Sequence, residues 1–341
     1  MKTKICQPPS TNPNTNINTT KDYEPSKRNN KQKSKTHRKR KKKGKIEEIK
    51  ILYANAQGLQ GKMNSLESAA KTHNSHVITI TETQIKPPRI PGYADWYHKP
   101  RTNRDGGGVA ITVRDDLSHK TQPIDDLEDD NQEVKWIKIN INNSKKIQIG
   151  VYYGKQERDS REDVEREFLQ LRTQINQLKK DGQVILTGDF NAKLAINKGE
   201  IKQNESPNGK LLRELLENTG MKAISTESQT GTWTRVKQTI RRLERSVIDY
   251  ILIKEEDTEL VTENNIDELG ALKLKGRTES DHNTMTISIT APITKDKKTI
   301  TRWKLGNKEG WKEFNKKIEK EINKDKLDDY TYAESTIIKT L

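Results

Sequence analysis

Val184-Ile185-Leu186-Thr187-Gly188-Asp189-Phe190-Asn191 runs from an apolar stretch into an acid and a carboxamide. The apolar part has the composition of a buried strand, which puts Asp189 and Asn191 at its end. Later, Ser280-Asp281-His282-Asn283 stands just before Met285-Thr286-Ile287-Ser288-Ile289, whose alternation is that of a half-buried strand. Carboxylates, an imidazole and carboxamides gathered on loops at strand ends suit metal-assisted phosphate chemistry. Cleaving a phosphate ester needs an activated water, neutralisation of the non-bridging oxygens and help for the leaving oxygen. The two stretches therefore point to phosphate ester hydrolysis.

The chain has 341 residues, enough for one large domain or two smaller ones. A mean hydropathy of −1.03 with 30% hydrophobic residues is low for a compact protein, so part of the chain is expected to lie outside any core. Residues 1–45 carry 15 Lys/Arg against Asp22 and Glu24, which is +13 of the formal +15. Residues 1–26 are rich in Thr, Asn and Pro without a period that could bury a face, and read as disordered. From Lys27 to Lys45 there is no acid, and the run Arg38-Lys39-Arg40-Lys41-Lys42-Lys43 would gain affinity for any polyanion through counterion release. Lys39 and Arg40 are thus candidate DNA contacts, with RNA a further partner for this tail. A nuclear-localisation signal, a nucleic-acid arm and a solubilising tail all fit. The single cysteine, Cys6, allows no internal disulfide and points to a reducing, intracellular setting. No apolar run approaches the roughly 20 residues of a membrane span, and no apolar signal segment opens the chain.

The folded region is expected over 46–293. Ile49–Ala54, Val77–Thr81, Val109–Val113, Val134–Ile141, Ile147–Tyr153, Thr232–Val236 and Val247–Ile253 read as strands, besides the two already quoted. A hairpin is expected around Asn142-Asn143-Ser144. Met63–His73 reads as a helix. A longer helix is capped by Ser160 and faces inward with Val164, Phe168, Leu171, Ile175 and Leu178; another, with Asn208 as its cap, uses Leu211, Leu212, Leu215 and Leu216 and stops at Gly220. Strands outnumber helices, and many are joined by turns. The fold class is α/β (α+β), with mixed, mostly antiparallel sheets packed face to face and helices outside. Residues 294–341 form a linker and a helix striped by Trp311, Phe314, Ile318 and Ile322.

Glu82, Asp189 and Asp281 are candidate magnesium ligands or bases, since hard cations prefer oxygen donors. A strand-end acid and a turn aspartate are the plainer readings of the first two. Asp249 lies inside Val247-Ile248-Asp249-Tyr250-Ile251-Leu252-Ile253, where a lone acid is costly without a partner. His282 can be that partner, its tautomer fixed and its charged form favoured by the carboxylate. Asn55 and Asn191 could orient a water or an acid without adding charge, or simply serve as turn residues. Tyr152 and Tyr153 alternate across a strand, so one belongs to the core and the other can offer its phenol to a phosphate. Trp233 and Arg235 fit an edge that touches DNA and fit ordinary packing equally well.

Taken in order, Tyr53-Ala54-Asn55-Ala56-Gln57-Gly58-Leu59, Thr81-Glu82-Thr83, Gly106-Gly107-Gly108, Tyr152, Gly188-Asp189-Phe190-Asn191-Ala192, Ile248-Asp249-Tyr250 and Ser280-Asp281-His282 resemble the endonuclease/exonuclease/phosphatase superfamily. Within it the chain looks like the apurinic-type endonuclease domain of non-LTR retrotransposons, over about residues 48–290. The resemblance implies a four-layer αββα sandwich with the site at one rim of the two sheets. It implies Mg2+ as cofactor, with Mn2+ able to substitute, held by Glu82 with Asn55 nearby and Asp281 close to the metal. Asp189 would orient or deprotonate water with Asn191. His282, held by Asp249, would meet the scissile phosphate, and Tyr152 would stabilise phosphate or leaving group. Such domains act in the nucleus, nicking one DNA strand and leaving a 3′-hydroxyl that primes reverse transcription. The stretch from Arg302-Trp303-Lys304 resembles the connector to a reverse transcriptase that is not in this sequence, as in a truncated element.

Two departures stand out. Tyr152 is followed by Tyr153-Gly154-Lys155 where the family has a small residue and a proline. Ser246 stands where repair-type apurinic endonucleases carry an aromatic residue, which argues against abasic-site repair. A repair nuclease, another phosphoesterase and a nucleic-acid-binding protein with an idle fold remain the alternatives. The basic tail favours DNA over an inositol phosphate or lipid head group.

Overall fold

Two parallel strand pairs frame the molecule. In the first, β1 (Ile46–Asn55) runs beside β2 (Val77–Thr81) through the crossover helix α1 (Met63–His73). In the second, β7 (Lys146–Tyr153) runs beside β8 (Gln183–Asp189) through α3 (Arg161–Leu178). Parallel neighbours need such crossovers, and each helix then covers the outer face of its own sheet. The computed structural model describes residues 46–102, 105–141, 145–198, 201–224, 232–276, 278–293, 312, 313, 315–317 and 319. Lys39 and Arg40 lie outside these residues, as do Asn142-Asn143-Ser144 and the apolar stripe Trp311, Phe314, Ile318 and Ile322. Residues 312, 313, 315–317 and 319 are helical and exposed.

Antiparallel pairing completes both sheets. The first has six strands in the order β15 (Val261–Ile266), β16 (Met285–Ile293), β1, β2, β4 (Val109–Val113), β3 (Tyr97–Lys99). The second, also six-stranded, runs β11 (Met221–Ala223), β14 (Asp249–Lys254), β8, β7, β6 (Glu133–Asn140), β5 (Thr121–Pro123). Two ribbons stand apart, β9 (Ile196–Lys198) with β10 (Ile201–Gln203) and β12 (Arg235–Gln238) with β13 (Leu243–Ser246). A single turn, α2 (Asp115–Ser118), follows β4.

Strand parity builds the layers. Ile49, Ile51 and Tyr53 of β1 face Ile147, Ile149 and Val151 of β7 in the core between the sheets, while Leu52 and Ala54 turn outward onto Leu66, Ala69 and Ala70 of α1. Trp136, Val184, Leu186 and Leu252 face the other way, onto Phe168, Leu171 and Ile175 of α3 and Leu212 and Leu215 of α4 (Pro207–Thr219). The result is the expected αββα sandwich of two mixed, mostly antiparallel sheets. A Thr187 to Thr79 hydroxyl bond of 2.9 Å spans the two sheets within this core.

Helix ends follow the sequence with one correction. Ser160 caps α3, accepting the Asp163 amide at 3.1 Å as expected. The cap of α4 is Ser206, which accepts the Gly209 amide at 3.1 Å, and Pro207 takes the first helical position. Asn208 instead reaches back to the carbonyls of Lys155 and Asn191 at 3.1 and 3.2 Å, bracing the loop after β8. The strand expected over Thr232–Val236 is displaced into the β12–β13 hairpin. β15, a polar edge strand, has no apolar alternation to announce it.

His76 shows what burial does to a titratable group here. Its Nδ1 accepts the Lys50 amide at 3.0 Å, and burial, helped by Arg114, holds the imidazole down to about 4. A depressed folded value means stability present above 6.5 and lost as pH falls through 4. The loss expected from protonating it is on the order of 3 kcal/mol. His76→Asn should flatten the drop in urea midpoint between those pH values; an unchanged slope would show the loss arises elsewhere.

Candidate active site

The two sheets bring the sequence motifs to one rim. β8 ends on Asp189, whose Cα pairs with Tyr153 on one side and Asp249 on the other. Side chains opposite one another in a sheet share a face, so all three point into the space between the sheets. Across it, β1 ends on Asn55 and β2 runs into Glu82. Glu82 holds φ at 52° and Asn191 at 46°, the left-handed region costly for residues with a Cβ. Both sit where a strand must turn at once to present a side chain. An open cleft of about 700 Å³ lies above, lined by Glu82, Tyr153, Asp189, Asn191, Arg235 and His282 among others.

Two hydrogen-bonded groups meet in this cleft. In the first, Asn55 Nδ2 donates to Glu82 Oε1 at 2.9 Å and to Asp189 Oδ2 at 3.0 Å, tying acids from different sheets together. The Asn191 amide donates to Asp189 Oδ1 at 2.9 Å, and the Asn191 carboxamide anchors on the Gly154 carbonyl at 2.8 Å. In the second, His282 Nδ1 contacts Asp249 Oδ2 at 2.9 Å and Oδ1 at 3.1 Å. Asp249 also accepts the Tyr53 hydroxyl at 2.7 Å, and its amide donates to Thr234 Oγ1 at 3.2 Å. His282 Nε2 is left facing the cleft, 3.9 Å from Asp189 Oδ2.

Burial and charge set the protonation states. Removal from water, then repulsion by Asp249, push Asp189 up to about 8 despite the nearby imidazole. For His282, burial pulls the other way, yet Asp249, followed by Asp189 and Asp281, lifts it to about 9. The ring is therefore an imidazolium at neutral pH. Burial and the cleft acids raise the Tyr153 phenol, which stays neutral.

The donor set fits a hard divalent cation. Ligand atoms of Glu82, Asp189 and His282 lie within 4.8 Å of one another. His282 is charged and cannot donate a lone pair, which leaves the oxygens of Glu82 and Asp189 as the donors. Glu82 and Asp189 come from different sheets yet share the Asn55 carboxamide, and convergent carboxyl oxygens are the donors a hard cation takes. Asp281 borders the same group, its Oδ1 3.5 Å from His282 Nε2. Its Oδ1 accepts from Gln57 Nε2 at 2.5 Å and its Oδ2 pairs with Arg235 at 2.9 Å. Asp281, expected close to the metal, thus holds Gln57 and Arg235 at the edge of the site.

Tyr152 is the second correction. Its Cα pairs with Gly188, not Asp189, so the ring turns to the helix side, 4.9 Å from Phe190, and its buried hydroxyl sits beside Glu167 without a hydrogen bond. Tyr153 lines the cleft in its place, with Arg101 stacked 5.2 Å over its ring. Gly188 lets the strands approach there, since a Cβ on it would lie 2.0 Å from the Tyr152 carbonyl oxygen. Trp233 is half-buried against the helix-side core, and its carbonyl accepts from Asn283 at 2.7 Å; it does not line the cleft. Tyr53, Thr234 and Gln57 escaped the sequence reading. Parity could have found Tyr53, which shares the face of Ile51 and Asn55.

A βαβ-framed αββα sandwich with acid, carboxamide and acid–imidazole groups at one rim defines the nuclease and phosphatase class. The chain belongs to the endonuclease/exonuclease/phosphatase family, whose pattern matches residues 52–282. None of the curated proteins compared with the chain matches it. Solved structures share the fold. The endonuclease domain of TRAS1, a telomere-specific non-LTR retrotransposon, is 20% identical with a TM-score of 0.57, covering 71% of this chain and 98% of that one. The apurinic endonuclease LMAP from Leishmania major is 16% identical with a TM-score of 0.59, covering 72% and 89%. The 3′-5′ exonuclease NExo from Neisseria meningitidis is 17% identical with a TM-score of 0.56, covering 71% and 100%, and a 3′ phosphatase form of NExo is bound to a product DNA hairpin.

Proposed function

We infer that the chain is a magnesium-dependent endonuclease that nicks DNA and leaves a 3′-hydroxyl to prime reverse transcription, the work of a non-LTR retroelement acting in the nucleus. One observation carries the chemistry: the Asp249–His282 pair and the Glu82–Asn55–Asp189 bridge face each other across one cleft. The likeness to the TRAS1 domain supports the retroelement reading. Ser246 lines the cleft where the repair enzymes' aromatic residue would be expected, which favours nicking over abasic-site repair. Lys193, Arg242 and Arg245 stand around the cleft, and residues 1–45 add a net +13, so a long polyanion gains from both. Among the described residues no helix is long and apolar enough to cross a membrane.

Glu82 and Asp189 would hold Mg2+, with Mn2+ able to replace it; when bound, the ion would supply charge neutralisation for the phosphate. Asp189, its carboxyl turned into the cleft, would orient the attacking water and accept its proton. Asn55 and the Asn191 amide fix both of its oxygens, so its orientation is set before substrate arrives. The His282 imidazolium places a full positive charge and an N–H on the scissile phosphate, and Tyr153 adds a neutral O–H.

Supercoiled plasmid incubated with the protein should give open circles with Mg2+ and none with EDTA. The nick should be extended by a DNA polymerase without prior phosphatase treatment. Plasmid shifted on a gel but never nicked would make the chain a binding protein with an idle fold, and nicking confined to abasic plasmid would make it a repair enzyme.

A further inference from the structure

Lys62, at the N-terminus of α1, is a lysine almost wholly out of water, 1% exposed. Its Nζ donates to the Ala56 carbonyl at 2.6 Å and the Gln57 carbonyl at 3.4 Å. Among the described residues no carboxylate lies within ion-pair reach of it. Burial pulls its proton affinity down, and only the fields of Glu82 and Asp281 oppose this. Burying an ammonium against neutral carbonyls is costly, and a methionine would fill the same space without that cost. The charge therefore has a local purpose.

The two carbonyls belong to the loop after β1. That loop carries Asn55, which bridges Glu82 and Asp189, and Gln57, which holds Asp281 through a reciprocal pair of hydrogen bonds at 2.5 and 3.1 Å. Gln57 keeps φ at 44°, a strained value for a residue with a side chain. A second loop packs on the lysine stem: a Cβ on Gly276 would stand 2.8 Å from Lys62 Cγ and 3.0 Å from the Gly61 carbonyl oxygen. Four residues later comes Ser280, whose hydroxyl donates to the Asn55 carbonyl at 2.8 Å, and then Asp281 and His282. The loops bearing the two halves of the site thus meet over one buried cation.

We propose that Lys62 is a positioning residue, pinning the Asn55–Gln57 loop against Gly276 and Ser280 so that Asn55 aims Glu82 and Asp189 at the metal. This rests on the metal-dependent reading above. Two mechanisms give opposite signs. If Lys62 acts through loop geometry, its removal weakens cation binding; if it acts only as a nearby positive charge, its removal relieves repulsion and tightens it.

Lys62→Met in the full chain, with Mn2+ affinity measured by EPR and amide exchange measured without metal, separates these. The geometric role predicts affinity weaker by about tenfold or more, the usual cost of losing an outer-shell partner. It also predicts faster exchange at Gly58 and Leu59, whose amides donate to the carbonyls of Glu82 and Thr83 at 2.8 and 3.1 Å, with β2 and β4 unchanged. Unchanged exchange at those amides, or Mn2+ affinity equal to or tighter than wild type, overturns the proposal. Should Lys62→Met fail to fold, Gly276→Ala keeps the charge and presses on the stem; it should give the same two changes at smaller size, and the absence of both overturns the proposal. Wild-type protein that binds no Mn2+ would sink the metal-dependent reading, while loop exchange would still decide the pin.

Discussion

Asp189→Asn should lower phosphodiester cleavage by about 10³–10⁴-fold while the protein melts no earlier than wild type. The loss follows from the chemistry: a carboxamide has no basic oxygen to take the proton of water, and it is a poorer ligand for a hard cation. The stability claim follows from the raised proton affinity of the acid. Asp189 titrates ordinarily near 3.8 and in the folded chain near 8, so between those values the folded state holds a proton that the unfolded state has released. Folding stability of the metal-free protein therefore falls as pH rises from 4 to 8, and the Asn variant escapes that fall. At pH 8 without metal its melting temperature should equal or exceed that of wild type. Adding Mg2+ should raise the melting temperature of wild type and leave the variant nearly still. A variant that melts earlier at pH 8, or that still cleaves, would remove Asp189 from the role of buried base.

Much of this site was legible because its residues are improbable where they stand. Asp249 in an apolar strand demanded a partner, and His282 is that partner. Asp189 and Asn191 after Val184–Leu186 had to lie at a strand end, and they do. What escaped depends on register. Tyr152 and Tyr153 are adjacent and chemically equal, and only the pairing of Tyr153 with Asp189 decides which enters the cleft. Asp281 stood out as an oxygen donor for a hard cation, but its partner Arg235 could not be read from the sequence, because an antiparallel bridge between Arg235 and His282 brings the guanidinium onto it. That bridge exists only because β12 and β13 form a hairpin, and the hairpin sequence is too polar to show strand alternation. Lys62 was invisible for the opposite reason. A lysine at a helix start reads as solvated, and only the packing of a second loop from far along the chain buries it.

Asp249→Asn should show that the charge of His282, beyond its presence, is what cleavage needs. With the carboxylate in place, imidazolium is favoured up to about 9 although burial opposes it. Without it, burial acts with less opposition and the ring falls towards or below its ordinary 6.5, leaving a neutral imidazole at pH 7.5. Turnover should drop by about 10²–10³-fold at that pH, with the alkaline limb of the rate profile moved from near 9 to the acid side of neutrality. His282→Ala should cost about as much or more and have no such limb. The double variant should be hardly worse than His282→Ala, because two residues that act as one unit are not additive. Stability carries the same signature. The raised imidazole contributes fully below 6.5 and loses its contribution as pH rises through 9, so wild type and Asp249→Asn should differ most in acid and converge in alkali. A rate profile for Asp249→Asn that keeps its alkaline limb near 9 would mean that Asp189 and Asp281 alone sustain the imidazolium, and Asp249 would then be a packing partner of Tyr53 and Thr234.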